Sequence, residues 1–292
     1  MGKFRSNLRL WCQLAFTAVS NGYLRGFARG EIYTGDAKLV CLPGLNCYSC
    51  PGALGSCPIG ALQAVIGSRN YQIPFYVLGL LTVFGAVLGR AVCGWLCPFG
   101  LVQDLLHRIP GVKKLRKLPG DRFLRWLKYG ILAVFVVLLP MFAVDIVGRG
   151  DPWFCKYICP SGTLLGGVPL VARNAGLRAA IGWLYTWKVA ILVVLLVLSV
   201  FVYRPFCRYL CPLGALYGPF NKLALYRFRV DETRCVSCGR CRQACRLDID
   251  VRKHPNSVEC IRCGACRTAC PTGAIRTLYE RKRARSNPKA AG

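Results

Sequence analysis

The sequence predicts an all-α membrane bundle, four transmembrane helices in two pseudo-repeated halves, followed by a small α+β domain organised around cysteines. Three observations predict it. Long apolar runs recur along the first two thirds of the chain. The element Cys-Pro-x-Gly recurs beside them. Finally, 19 cysteines accompany only two histidines in 292 residues.

The runs are nearly free of charge. Phe75 to Val92 carries only Arg90, Tyr129 to Val147 only Asp145, and Trp183 to Tyr203 only Lys188, whose stem can reach an interface. Runs of about 18 or more such residues are long enough to cross the hydrocarbon layer. A buried core helix can look the same, but three in one chain of this size argue for spans. Leu10 to Leu24 is a shorter fourth candidate containing Gln13 and Asn21, read as a tilted or partly interfacial span. No small-residue cleavage pattern follows it before Arg25, so it is not read as a secretory signal. Trp11, Trp95, Trp126, Trp153, Trp183 and Trp187 fall at or near span ends, as an interfacial aromatic belt would place them.

Charge sets the expected orientation. The segment 104–128 holds eight Lys and Arg, and the chain from Arg204 onward holds 19 of the 40. Segments 25–69 and 149–188 hold only four and five. The positive-inside rule puts the first two regions in the cytoplasm and segments 25–73 and 148–182 outside. The expected place is the cytoplasmic (inner) membrane, and anionic lipid headgroups account for much of the net charge of +28. No recognition fold accompanies that charge, so nucleic acid is excluded as a partner. The expected division is a membrane domain over 1–220, a cysteine domain over 221–280 and a basic tail over 281–292.

The cysteine domain reads "CVSCGRCRQAC" and then "CIRCGACRTACP". Each is C-x2-C-x2-C-x3-C, the run of two-cluster bacterial ferredoxins, in which the fourth cysteine of one run serves the other cluster. Cys235, Cys238, Cys241 and Cys270 are therefore expected to hold one [4Fe–4S] cluster. Cys260, Cys263, Cys266 and Cys245 are expected to hold the second. Zinc sites usually show C-x2-C pairs at longer intervals. Arg246 stands where the usual run has Pro, so the Asp248 to Asn256 loop is expected to be unusual.

Two further elements, "CGWLCPFG" with Cys93 and Cys97 and "CRYLCPLG" with Cys207 and Cys211, follow the second and fourth runs on the inner side. Halves related by an axis along the membrane normal would bring them face to face, four thiolates for one inner cluster. "CKYICPSG" with Cys155 and Cys159 falls outside, as does the loop holding Cys41, Cys47, Cys50 and Cys57. An outer cluster on Cys155, Cys159, Cys50 and Cys57 is the expectation, with Cys41 and Cys47 as alternative ligands. Disulfides among the outward cysteines are the competing reading. Cys12 reads as a small packing residue. Pro after the ligand can start a helix at its first turn, and Gly two residues later lets backbone approach. Arg90, Lys156, Arg204 and Arg208 are expected to lower thiolate pKa values. His107 and His254 are not placed for paired haem ligation.

The four-run order, "CGWLCPFG", "CRYLCPLGALYG" and the double ferredoxin run resemble the NapH-type membrane ferredoxins, related to NosR and CcoG. The resemblance covers nearly the whole chain. It implies iron–sulfur electron transfer at the membrane, often as a quinol-oxidising subunit feeding an extracytoplasmic reductase. The outer cysteines Cys41, Cys47, Cys50, Cys57, Cys155 and Cys159 depart from NapH itself and favour a relay across the membrane between redox protein subunits. A NapH-like quinol dehydrogenase and a CcoG-like metal-reduction or assembly factor are the rivals. Because the hydrocarbon layer is about 30 Å thick, either the Cys-Pro loops dip inward or a quinone or partner-bound flavin lies between the sites.

Overall fold

The computed structural model describes residues 2–68, 74–145 and 149–278, so the basic tail 281–292 lies outside the described residues. Helix Gly2–Ser20 leads into a long loop that ends at helix Pro58–Ile66. Phe75–Leu88, Ala91–Trp95 and Pro98–Leu106 follow in close succession. The second half repeats the plan, with a helical rod Asp121–Phe142, then Trp153–Tyr157, Trp183–Phe201, Pro205–Tyr209 and Pro212–Phe220. At the end, strand β1 (Phe228–Val230) pairs antiparallel with β2 (Ile275–Thr277), enclosing short helices Arg240–Gln243 and Ala265–Ala269.

Sequence chemistry explains where the helices begin. Cys57, Cys97, Cys159 and Cys211 each take an extended backbone just before a helix, and the Pro that follows occupies its first turn. Proline costs nothing there, because a first-turn N–H has no intrahelical partner.

Among the described residues two helices are long and apolar enough to cross a membrane, Asp121–Phe142 and Trp183–Phe201. The run expected over Phe75 to Val92 is helical for only 14 residues, about 21 Å at 1.5 Å per residue. Gly89, at φ 55°, ends it and turns the chain so that Arg90 is buried. The first candidate, Leu10 to Leu24, is displaced toward the N-terminus. Its helix stops at Ser20 and carries Arg9 buried against Asp104. The long helices and Phe75–Leu88 leave Phe75, Val83, Val193, Val194, Phe142 and Trp183 exposed.

The larger of two hydrophobic cores among the described residues runs from the helices into the cysteine domain. It links Leu45, Ile59 and Phe154 to Phe99 and Phe206, and these to Leu247, Ile249 and Ile261 of the cysteine domain. That domain is pinned by buried polar groups. Glu259 receives Arg90 at 2.9 Å and also Lys128. Arg262 donates to the carbonyls of Leu88 (3.0 Å) and Asn221 (2.7 Å). Arg246 lays its guanidinium over the Tyr203 ring at 5.4 Å, and Asp248, at the start of the following loop, takes φ 55°.

Candidate metal centres

The cysteine domain rings two spaces with thiols. Cys235, Cys238, Cys241 and Cys270 line one, and Cys245, Cys260, Cys263 and Cys266 line the other. The structure thus brings together the two crossed sets expected from the spacing. Backbone conformation repeats between them. Ser237 and Arg262, each preceding the second cysteine of a run, are left-handed at φ 54° and 53°, and Gly239 and Gly264 follow at 71° and 81°. Such turns aim successive backbone N–H groups inward, where anionic sulfur can accept them.

A third set lies beneath the domain. Cys93, Cys97, Cys207 and Cys211 are each 4–5% exposed and within electrostatic reach of one another. The halves hold each other reciprocally here. Arg90 donates to the Cys207 carbonyl at 3.0 Å, and Arg204 donates to the Cys93 carbonyl. Arg204 also grips Asp104 through two nitrogens at 2.8 and 2.6 Å, and Arg9 adds a third bond at 2.8 Å. Burial alone would push the Asp104 carboxyl up, but Arg204 and then Arg9 outweigh it and hold it at about 2. The glycine of the element now has a specific role. Gly100 donates its N–H to the Cys97 sulfur at 3.4 Å. A Cβ on Gly100 would stand 3.1 Å from Arg204 Nη1, and one on Gly214 would stand 3.0 Å from Arg90 Nη2.

Of the four neighbouring cations expected to lower the thiol pKa values, Arg90 and Arg204 do act in that direction. Burial drives the Cys207 thiol up to about 11, and Arg204 and Arg90 offset only part of that. Lys156 pairs instead with Asp151, and Arg208 with Asp121 and the Arg116 carbonyl. Proton loss from these thiols has to be coupled to metal binding.

The outer set also differs from the expectation in one member. A cavity of about 350 Å³ is lined by Cys57, Cys155, Cys159 and Cys47. Cys50 turns away and places its sulfur 3.4 Å from Asn21 Oδ1. Cys41 is buried in a bridge to Ser56, with its N–H on the Tyr76 hydroxyl at 3.3 Å. The reason lies in the loop. Gly44 packs on the backbone of Leu96 and Cys97 (3.3–3.4 Å to where a Cβ would stand), which seats Leu45 in the core and delivers Cys47 rather than Cys50. Lys188 donates to the Cys155 carbonyl at 3.2 Å, the part played by arginine at the inner set. All 19 cysteines, every one among the described residues, are unpaired.

Sequence reasoning missed two glutamines, Gln63 and Gln103, although both stood in the repeated segments. Each lies six residues after a Cys-Pro cysteine, is fully buried, and donates to a sulfur of the other half: Cys155 at 3.3 Å and Cys207 at 3.2 Å.

The cysteine domain, the inner set and the outer set stand in file. Gly94, next to Cys93, packs against the Ile261 carbonyl, and Trp95 Nε1 donates to the Arg262 carbonyl at 3.1 Å, so the inner set abuts the run Cys260–Cys263. At the other end Gly44 touches Cys97 and lies three residues before Cys47. The chain cannot extend more than about 3.8 Å per Cα step, so the Cα atoms of Cys97 and Cys47 are at most about 16 Å apart. The loop that carries Cys47 therefore lies close to the inner set.

Among the described residues no group of three or more His, Cys, Asp or Glu side chains gathers tightly enough for a single ion. The thiols surround spaces instead. Each space in the cysteine domain has an all-thiol donor set of four cysteines, the ligand set of a [4Fe–4S] cubane. Comparison with known proteins agrees. A 4Fe-4S binding domain family matches residues 70–118, 129–178 and 185–230, and another 4Fe-4S binding domain matches 255–276. The putative electron transport protein YccM of Escherichia coli is 30% identical over 75% of this chain and 57% of its own length. The regulatory protein NosR of Pseudomonas aeruginosa is 31% identical over 62% and 23%. The ferredoxin-type protein NapH of Haemophilus influenzae is 30% identical over 57% and 51%. The chain therefore spans little more than half of YccM and NapH and about a quarter of NosR. No solved structure matches it.

Proposed function

We propose that this 4Fe-4S relative of NapH, NosR and YccM is a membrane-bound iron–sulfur electron-transfer protein with four [4Fe–4S] sites. Two are the tail sets. The third is Cys93, Cys97, Cys207 and Cys211, and the fourth is Cys47, Cys57, Cys155 and Cys159. When bound, each cluster takes up and returns one electron. The chain's own residues hold the thiols in file, exclude water from the inner set and surround it with fixed cations. The single observation that carries the reading is that file, in which the cysteine domain, the inner set and the outer set share backbone contacts at Ile261–Gly94 and Gly44–Cys97.

In this reading residues 1–220 form a four-helix membrane domain and 221–280 a cytoplasmic two-cluster domain. The exposed apolar faces and the basic segments support it. The short helix Phe75–Leu88 leaves Cys93 inside the layer rather than at its far surface, which is why no quinone or flavin needs to sit between inner and outer sets. Electrons pass between a redox protein on the cytoplasmic side and a partner on the other side.

Iron and acid-labile sulfide counted in the purified chain test it. Four cubanes require about sixteen irons, and two tail clusters alone require about eight. A count near eight would remove the relay and leave a soluble-type ferredoxin tethered to a bundle.

A further inference from the structure

Gln63 and Gln103 occupy the same register, six residues after Cys57 and Cys97 in "CPIGALQ" and "CPFGLVQ". Their surroundings match group for group. Gln103 Oε1 accepts from the backbone N–H of Phe206 at 3.2 Å, and its Nε2 donates to the Phe99 carbonyl at 3.4 Å and the Cys207 sulfur at 3.2 Å. Gln63 Oε1 accepts from Phe154 N–H at 3.0 Å, and its Nε2 donates to the Ile59 carbonyl at 3.2 Å and the Cys155 sulfur at 3.3 Å. The amide orientation is fixed in both copies. Only the oxygen can meet a backbone N–H, and only the nitrogen can meet a carbonyl, so the second N–H must face the sulfur. Both side chains are 0% exposed, so no water competes. The equivalent positions after Cys159 and Cys211 are Leu165 and Tyr217, so the N-terminal half alone supplies this amide.

We infer that Gln63 and Gln103 are paired positioning residues, each donating an N–H to a cluster thiolate of the opposite half and setting that cluster's reduction potential. The inference rests on the four-site reading. A reduced cluster carries one more negative charge, spread over its sulfurs, so a fixed donor stabilises it more than the oxidised one. Removing the donor lowers the potential. Each amide also ties the residue before a ligand cysteine to the facing helix, so one side chain couples the closure of the halves to cluster electronics.

The test is an EPR-monitored redox titration of the full chain carrying its clusters. Gln103→Met keeps side-chain length and removes the donor. It should shift one core cluster signal to lower potential, with iron content intact and the tail signals unmoved. Gln63→Met should shift the other core signal. Unchanged potentials in both variants with full iron, or a shift of the same signal by both, would overturn the inference. To guard against a variant that does not fold, pulsed EPR of the unmutated chain labelled with ¹⁵N at the Gln side chains should show coupling to both core clusters. Absence of that coupling also overturns it. A wild-type iron count near eight is a separate result, which sinks the four-site reading itself.

Discussion

At the inner set the cations are Arg90 and Arg204, 1% and 0% exposed, while at the outer set the cation is the half-buried Lys188. The donors are otherwise alike: two Cys-Pro cysteines, a first cysteine in a Cys-x3-Cys turn facing a glutamine, and a cation on that cysteine's carbonyl. The inner cations are shared with buried carboxylates. Glu259 serves Arg90 and Lys128, and Asp104 serves Arg204 and Arg9, so each group keeps one positive charge in excess. At the outer set Lys188 and the partly exposed pair Lys156–Asp151 line the cavity instead. Similar thiol donors are thus placed in a sealed, cationic setting on one side and a more exposed one on the other. In low dielectric a fixed positive charge acts strongly on a nearby anion, and in a hydrated mouth it acts weakly. On the proposed reading the inner site would hold an electron in the interior, and the outer site would exchange one with a partner.

The largest effects separate the two sites by their ligands. Cys97→Ala and Cys211→Ala, from opposite halves, should each remove about four irons and the same EPR signal, because three thiolates hold a cubane poorly. Cys47→Ala should remove a different signal, and Cys50→Ala none. If Cys50→Ala abolishes the outer signal while Cys47→Ala spares it, the loop geometry set by Gly44 is not the one used with iron present.

Next comes the charge difference. Arg204→Met strips Asp104 of its bidentate partner and the Cys93 carbonyl of its donor. Breaking a buried pair in this way costs about 3–5 kcal/mol. Lys188→Met removes a half-buried ammonium and should cost about 1 kcal/mol. Thermal unfolding in one detergent measures both, and equal losses would mean that the outer site is as sealed as the inner.

Much of this was legible because it is local. Within each tail run and each inner pair the cysteines are three or four residues apart, which chain geometry brings to one place, whereas joining Cys93 and Cys97 to Cys207 and Cys211 relied on the repeat of the two halves. Cys47 and Cys50 are three residues apart in one loop, and nothing nearby decides between them. The choice comes from Gly44 meeting Cys97, 53 positions away. The glutamines were visible in the repeats, but their meaning depends on Phe154 and Phe206 in the other half. The apolar count from Phe75 to Val92 could not reveal that Gly89 breaks the helix, since glycine is tolerated inside membrane helices as readily as at their ends.

The smallest predicted difference bears on the repeated glycine. All four elements place it at the third helical position, where alanine by propensity alone would stabilise by roughly 0.5–1 kcal/mol. At the outer set nothing opposes that gain: a Cβ on Gly60 would meet the Tyr48 ring at 3.4 Å, and one on Gly162 the Cys47 sulfur at 3.4 Å. At the inner set the Cβ of Gly100 would lie 3.1 Å from Arg204 Nη1 and 3.2 Å from the Cys93 carbonyl oxygen. That of Gly214 would lie 3.0 Å from Arg90 Nη2 and 3.2 Å from the Cys207 carbonyl oxygen. Neither guanidinium can yield freely, because each is tied to a carboxylate and to the very carbonyl it would have to leave. Gly60→Ala and Gly162→Ala should therefore be neutral or slightly stabilising. Gly100→Ala and Gly214→Ala should cost about 1–2 kcal/mol, as overpacking of a tight interior does. If all four behave alike, clearance for the arginines is not what the inner glycines provide, and the N–H donated to sulfur at Gly100 and Gly162 remains as the role seen in both settings.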